Sequence, residues 1–201
     1  MIPFIIFAII ILSLYLKTPA GRGKIGELTI KFILGKTEPG EKYVINNLII
    51  KGSDGKTSQI DHILINKNGI FVIETKNYSG KIFGDETQYK WTQTLNYGKV
   101  KNRFYNPVMQ NDTHIRRIKE VTKTTLPIKS IVVFTQDNVK NIKSPRVFTI
   151  KEMKKYINRS QNYSLKIKDM EKVYKQLKSI KDFNLITPKK HIENIHNSLN
   201  R

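Results

Sequence analysis

Asp61, Glu74 and Lys76 are the residues of this sequence whose types and spacing suit phosphate chemistry. They flank Asn66-Lys67-Asn68-Gly69, a turn composition, with strand-like runs Gln59–Ile65 before it and Gly69–Lys76 after it, so a hairpin is expected. A two- or four-residue loop centred between Lys67 and Asn68 sets Asp61 opposite Glu74, whereas a loop at Asn68-Gly69 sets Asp61 opposite Lys76. Either register puts all three side chains on one face, and a three-residue loop without a bulge would break the arrangement. Two carboxylates about 5 Å apart repel each other unless a cation lies between them. A divalent ion answers that requirement. The chain has no cysteine, so the available ligands are carboxylates, four histidines and neutral oxygens, which point to Mg²⁺, Mn²⁺ or Ca²⁺. Mg²⁺ suits best, because it takes one or two carboxylates and leaves positions for water and phosphate oxygens. Such an ion polarises a phosphodiester and activates a bound water, while Lys76 orients the water or stabilises the developing charge. The competing reading is an ordinary surface ion pair, since Glu-x-Lys recurs at Glu152-Met153-Lys154. Against it, Glu74 ends Ile70-Phe71-Val72-Ile73, a run that reads as a buried central strand, where a charge needs a reason.

The positioning elements follow from periodicity. Tyr43–Ile50 joins the two hairpin runs as a third strand, Gly80–Phe83 and Tyr89–Leu95 are shorter strand candidates, and Ile128–Phe134 and Arg146–Ile150 read as two more. Gly26–Leu34 has a helical pattern with Glu27 on the side of Ile30 and Leu34, a costly place for a carboxylate unless a positive group meets it. Asn106-Pro107 is a helix start, and Val108, Ile115 and Ile118 mark its buried face. On that helix Gln110, His114 and Arg117 share a strip beside the buried face, which makes His114 and Arg117 candidates for phosphate contact, with an ordinary half-exposed helix histidine as the equal alternative for His114. His62 alternates with Asp61 and is read as structural, and the lone Trp91 as core. The order gives a mixed α/β domain, a central sheet flanked by helices.

Further matches lie at Gly26-Glu27, Gly80–Gly84, Trp91, Asn106-Pro107 and Gln110-Asn111. With Gln59–Ile65 and Gly69–Tyr78, they make the chain resemble the nuclease-related domain, NERD, over about residues 23 to 125. NERD domains look like a branch of the PD-(D/E)XK nucleases. That resemblance implies a restriction-endonuclease-like fold, a divalent metal and hydrolysis of nucleic acid. It also implies Asp61 and Glu74 as metal ligands, Lys76 as the catalytic lysine, Glu27 as the acid from the first helix and Gln110 as the polar residue from the later one. Ile60 stands where the superfamily's name has proline.

The 201 residues carry a formal net charge of +20, which favours a polyanionic partner, nucleic acid or an anionic lipid surface. Part of that charge reflects a chain-wide bias toward Lys, Asn and Ile. Ile2–Leu16 is an apolar run shorter than the roughly 20 residues of a full span, with Lys17, Arg22 and Lys24 following it. It is expected to be a membrane anchor with the bulk of the chain on the cytoplasmic side of a bacterial cell membrane; the alternative is a signal peptide cleaved near Thr18-Pro19-Ala20. The expected organisation is an anchor at 1–16, a linker at 17–22, the nuclease-like domain at 23–150 and a basic helical extension at 151–201, where Met170, Val173, Leu177 and Ile180 recur at helical spacing. The leading expectation is a membrane-tethered, Mg²⁺- or Mn²⁺-dependent nuclease acting on DNA, with no organic cofactor. The alternatives are a nucleic-acid-binding module without turnover and a scaffold whose C-terminal helices bind lipid.

Overall fold

The computed structural model describes residues 2–159 and 164–184. In chain order the elements are α1 (Ile2–Lys17), α2 (Pro19–Leu34), β1 (Lys42–Lys51), β2 (Thr57–Asn66), β3 (Gly69–Lys76), β4 (Lys81–Asp85), β5 (Lys90–Leu95), β6 (Val100–Tyr105), α3 (Pro107–Thr122), β7 (Ile128–Phe134), β8 (Asn141–Lys143), β9 (Val147–Thr149), α4 (Ile150–Asn158) and α5 (Ile167–Asn184). They build two mixed sheets, one ordered β1-β2-β3-β7-β9 and the other β6-β5-β4-β8. In the larger sheet β1, β2 and β3 run antiparallel and β7 pairs parallel to β3. Strand β3 is thus central, and its first six residues are buried, as the run Ile70–Ile73 requires.

Two apolar layers cover the larger sheet. On one side Ile63, Ile65, Ile70 and Val72 pack with Ile118 of α3 and with Met170, Val173 and Leu177 of α5. On the other, Leu64, Phe71 and Ile73 pack with Ile30 and Leu34 of α2 and Met153 and Ile157 of α4. The described part of segment 151–201, α4 and α5, packs on the sheet and closes its core. The spacing of Met170, Val173 and Leu177 arises from that burial.

The smaller sheet is pinned by Trp91, fully buried against Phe104 and Phe134, with its Nε1 donating to the carbonyl of Asp85 at 2.9 Å. Gly84 faces this indole, and a Cβ there would lie 2.3 Å from the ring. Because the tryptophan has nowhere to move, Gly84→Ala is expected to cost about 2 kcal/mol and to lower the melting temperature measurably.

The element boundaries differ in places from those expected. The linker expected at 17–22 is reduced to Thr18, whose side chain caps α2 by accepting from the Gly21 amide at 3.1 Å, with Pro19 opening the helix. Strands β6 and β8 were not anticipated: β6 is almost wholly exposed and lacks the apolar alternation that marks a strand. α1 and α2 meet at 87°, and among the described residues no single helix is long and apolar enough to cross a membrane. The large apolar side chains of α1 from Phe4 to Leu14 are nonetheless more than half exposed.

Candidate active site

The hairpin loop holds two residues, Lys67 and Asn68, because β2 and β3 pair from Asn66↔Gly69 up to His62↔Ile73. This is the first of the two registers weighed above, and its next rung sets Asp61 opposite Glu74. A local distortion marks the same place. In β1 the residues facing the α5 layer change from Tyr43 and Ile45 to Leu48 and Ile50, and the switch falls at Asn47, whose φ is 53°. Opposite it the β1–β2 ladder lacks a rung between Asn46↔His62 and Leu48↔Ile60, the rung that Asp61 would make. Asp61 is freed from regular pairing and its Oδ2 accepts from the Thr75 amide at 2.9 Å, leaning over β3. Irregularities of this kind re-aim side chains in sheets.

The side chains expected to meet do meet. Lys76 Nζ donates to Glu74 Oε1 at 2.7 Å and to Gln110 Oε1 at 3.1 Å, so α3 and β3 hold the amine between them. Glu74 Oε2 is buried without a hydrogen-bond partner among the described residues; His114 Nε2 stands 3.4 Å from it without forming a well-aligned bond. Glu27 is paired with Lys24 at 3.1 Å and lines the same cleft of about 500 Å³ as Asp61, Glu74 and Lys76. The positive group that the position of Glu27 called for is thus its own helical neighbour. A hollow of similar size beside Thr149 and Lys151 carries Asp137 but no second acid.

Electrostatics separates the two central acids. Burial pushes the Asp61 carboxyl up to about 8, and the charge of Glu74 pushes the same way, against the Thr75 hydrogen bond and Lys76. For Glu74, burial also raises the value, but the Lys76 ammonium and the His114 contact outweigh it and hold the group below the usual carboxylate range. Lys76 is itself desolvated, yet Glu74 and Asp61 keep it firmly protonated. The site thus has one ionised acid already matched by a lysine and a second that burial and its neighbour force toward the neutral form. A divalent cation would relieve that second acid.

The donor set fits such a cation. Glu74 Oε2 is an unpartnered buried oxygen, and Asp61 is an acid whose ionisation waits on a positive charge. Among the described residues no three His, Asp or Glu side chains converge on one point, so the fit is two protein carboxylates with the remaining positions left to water and phosphate.

Two expected contacts are placed differently. His114 is only 4% exposed, behind Glu74, and Arg117 is 5% exposed, bonded to Ser58 Oγ at 2.6 Å and paired with Asp54 at 3.3 Å. Both lie on the strip read from helical spacing, but that strip turns inward over the sheet and does not open to a polyanion. His62 behaves as read. It is buried, its Nδ1 lies 2.7 Å from Asn46 Oδ1, and burial holds its pKa down to about 4.

Sequence reasoning passed over Asn77. Its Nδ2 donates to the Arg22 carbonyl at 2.7 Å, and its Oδ1 accepts from Thr135 Oγ1 at 2.8 Å and Gln136 Nε2 at 2.7 Å, tying α2 to the ends of β3 and β7. Its position next to Lys76 was the available signal. Arg22, Gln93 and Asn102, which also line the cleft, gave none. Gly26 lets α2 come this close, since a Cβ there would sit 2.8 Å from the Asn77 Cβ. Gly26→Ala is therefore expected to push Glu27 outward from the cleft and to lower stability by about 1–2 kcal/mol, measured by thermal unfolding.

Comparison with known proteins identifies a family for most of this domain. The nuclease-related domain (NERD) profile matches residues 22–135, more than half of the chain. The chain is similar to an uncharacterized protein of Bacillus anthracis, 33% identical over 184 residues that cover 89% of this chain and 86% of that one. No solved structure matches. With the matched segment spanning both hairpin acids, Lys76 and Gln110, the chain belongs to the nuclease-related domain family.

Proposed function

We propose that this protein is a divalent-metal-dependent nuclease that hydrolyses phosphodiester bonds of DNA and is tethered to the cytoplasmic face of a membrane by its N-terminal helix. The convergence of Asp61, Glu74 and Lys76 at one cleft, with Gln110 holding the lysine from α3, carries the reading. Asp61 and Glu74 would hold Mg²⁺ or Mn²⁺, with Glu27 at the rim. When bound, the ion polarises the scissile phosphate and lowers the pKa of a water. Lys76, kept charged and fixed by Gln110, orients the attacking water and stabilises charge on the phosphate oxygens. Gln110 acts as a positioning residue. The exposed apolar surface of α1, followed by Lys17, Arg22 and Lys24, supports the tether and its orientation. On α2, Ile25, Leu28 and the 88% exposed Phe32 add a second apolar stripe suited to the bilayer interface.

The test incubates the full chain in detergent with plasmid, linear DNA and RNA, with Mg²⁺, Mn²⁺ or chelator. Cleavage that needs the ion is expected, with DNA the preferred substrate. Salt-dependent binding that survives chelation with no cutting under any condition would instead select the binding module without turnover.

A further inference from the structure

The outer face of the smaller sheet is unused by the chemistry above. Its residues follow from strand alternation: Ile82, Gly84 and Trp91 point inward, so Lys81, Phe83, Lys90, Lys101, Arg103 and Lys143 point out, and all six are exposed. Five are cations, none of which makes an ion pair among the described residues. The one acid on this face, Asp85, has its Oδ1 taken by the amide and hydroxyl of Thr87.

The register gives this face a shape. Thr92 lies between Arg103 on β6 and Phe83 on β4, and Thr94 lies between Lys101 and Lys81. Two short side chains therefore floor a trough, with cations on one bank and an aromatic ring plus a lysine on the other. The banks are about 10 Å apart, twice the spacing between neighbouring strands. At one end Tyr89, 66% exposed, and Tyr105, 40% exposed, meet edge to face with centroids 5.0 Å apart. Phe83, 42% exposed, offers its ring to solvent in the middle. Outward-facing lysines and threonines alone are ordinary on a solvated sheet. Three accessible aromatic rings set among unpaired cations are not.

We infer that this trough binds single-stranded nucleic acid, with phosphates along Lys101 and Arg103 and bases stacked toward Phe83 and the Tyr89–Tyr105 pair. A duplex keeps its base faces hidden, so exposed rings reward only unpaired bases, whereas the cations alone would accept either form. The trough also leads to the cleft. Strand β6 is the edge of its sheet, and Asn102, between Lys101 and Arg103, points the other way and lines the catalytic cleft with Gln93. A strand leaving the trough over β6 arrives beside Asp61 and Lys76. The inference deepens the nucleolytic reading by naming a substrate form, but binding can be measured without cleavage.

The experiment measures fluorescence anisotropy of a labelled oligonucleotide, single-stranded and duplex, with the full chain in detergent and chelator present. Phe83→Leu is expected to weaken single-strand binding about tenfold, and Phe83→Tyr, which keeps a ring, to bind as the parent does. In Lys101→Ala/Arg103→Ala the slope of log affinity against log salt is expected to shrink by about 1.4, two phosphate contacts on a single strand. Duplex binding should change little with Phe83→Leu. Unchanged single-strand affinity in Phe83→Leu, or equal loss for duplex and single strand, overturns the inference. Thermal unfolding of each variant separates lost binding from lost fold, and Phe83→Tyr keeps the test decisive if Phe83→Leu unfolds. If DNA cleavage fails while the trough variants behave as stated, the trough stands and the nuclease reading falls; the converse pattern removes the trough alone.

Discussion

Lys76→Ala is expected to slow cleavage of DNA by about 10²–10³-fold, the usual cost of removing one preorganised group that meets transition-state charge. The same change strips Glu74, 3% exposed, of its 2.7 Å ion pair. It should therefore also lower stability by about 3 kcal/mol, as breaking one half of a buried pair does. The two effects separate experimentally. Turnover is measured at a temperature where both proteins are folded, and unfolding is followed independently by circular dichroism. Binding of DNA in chelator should fall much less than turnover, because the lysine is tied to Glu74 and Gln110 and is largely withdrawn from the surface. Equal cleavage by parent and variant would reduce Lys76 to a structural counter-ion and leave the catalytic assignment without its amine.

Asp61→Asn should abolish cleavage and yet, without divalent ions at pH 8, produce a more stable protein. The Asp61 carboxyl sits at about 8 in the folded chain against an ordinary 3.8, so between those values the folded state holds a proton that the unfolded state has released. Stability from this group is complete below about pH 4 and is lost as pH rises toward 8. Glu74 is shifted the other way, and its contribution is lost only as pH falls below the ordinary carboxylate range, outside that window. Between pH 5 and 8 the metal-free parent should thus lose at least about 2 kcal/mol, seen as a falling melting temperature. Asparagine keeps an acceptor for the Thr75 amide and carries no charge, so its melting temperature should stay level and exceed the parent's at pH 8. Added Mg²⁺ should raise the parent's melting temperature more steeply at higher pH and leave the variant unmoved. A parent whose stability is flat over this range would mean that Asp61 is already ionised there.

The central hairpin was legible because its determinants are local. The turn residues Asn66–Gly69 and the apolar runs on either side specify the loop, and parity then places Asp61, Glu74 and Lys76 together. Asn106-Pro107 was legible for the same reason: the Asn106 side chain caps the Val108 and Met109 amides, while its Nδ2 donates to the carbonyls of Asp85, Glu86 and Gln88. The inward turn of His114 and Arg117 was not legible, since helical spacing gives a strip without saying what covers it. Asp54, the partner of Arg117, lies 63 residues away in the loop between β1 and β2. Strand β6 was hidden because its pairing with β5 is satisfied by backbone, and its side chains face a cleft and a trough instead of a core. The cleft wall formed by Arg22, Gln93 and Asn102 likewise exists only once α2 and the smaller sheet are brought to the end of β3.

α2 runs unbroken from Pro19 to Leu34 and is pressed onto β3 at Gly26 and hooked at its Arg22 carbonyl by Asn77. The turns that carry Arg22, Gly23 and Glu27 are also the first to receive any pull or tilt transmitted through the α1 elbow. Mechanical load entering at the N-terminus would therefore strain the wall of the cleft before it reached the sheet.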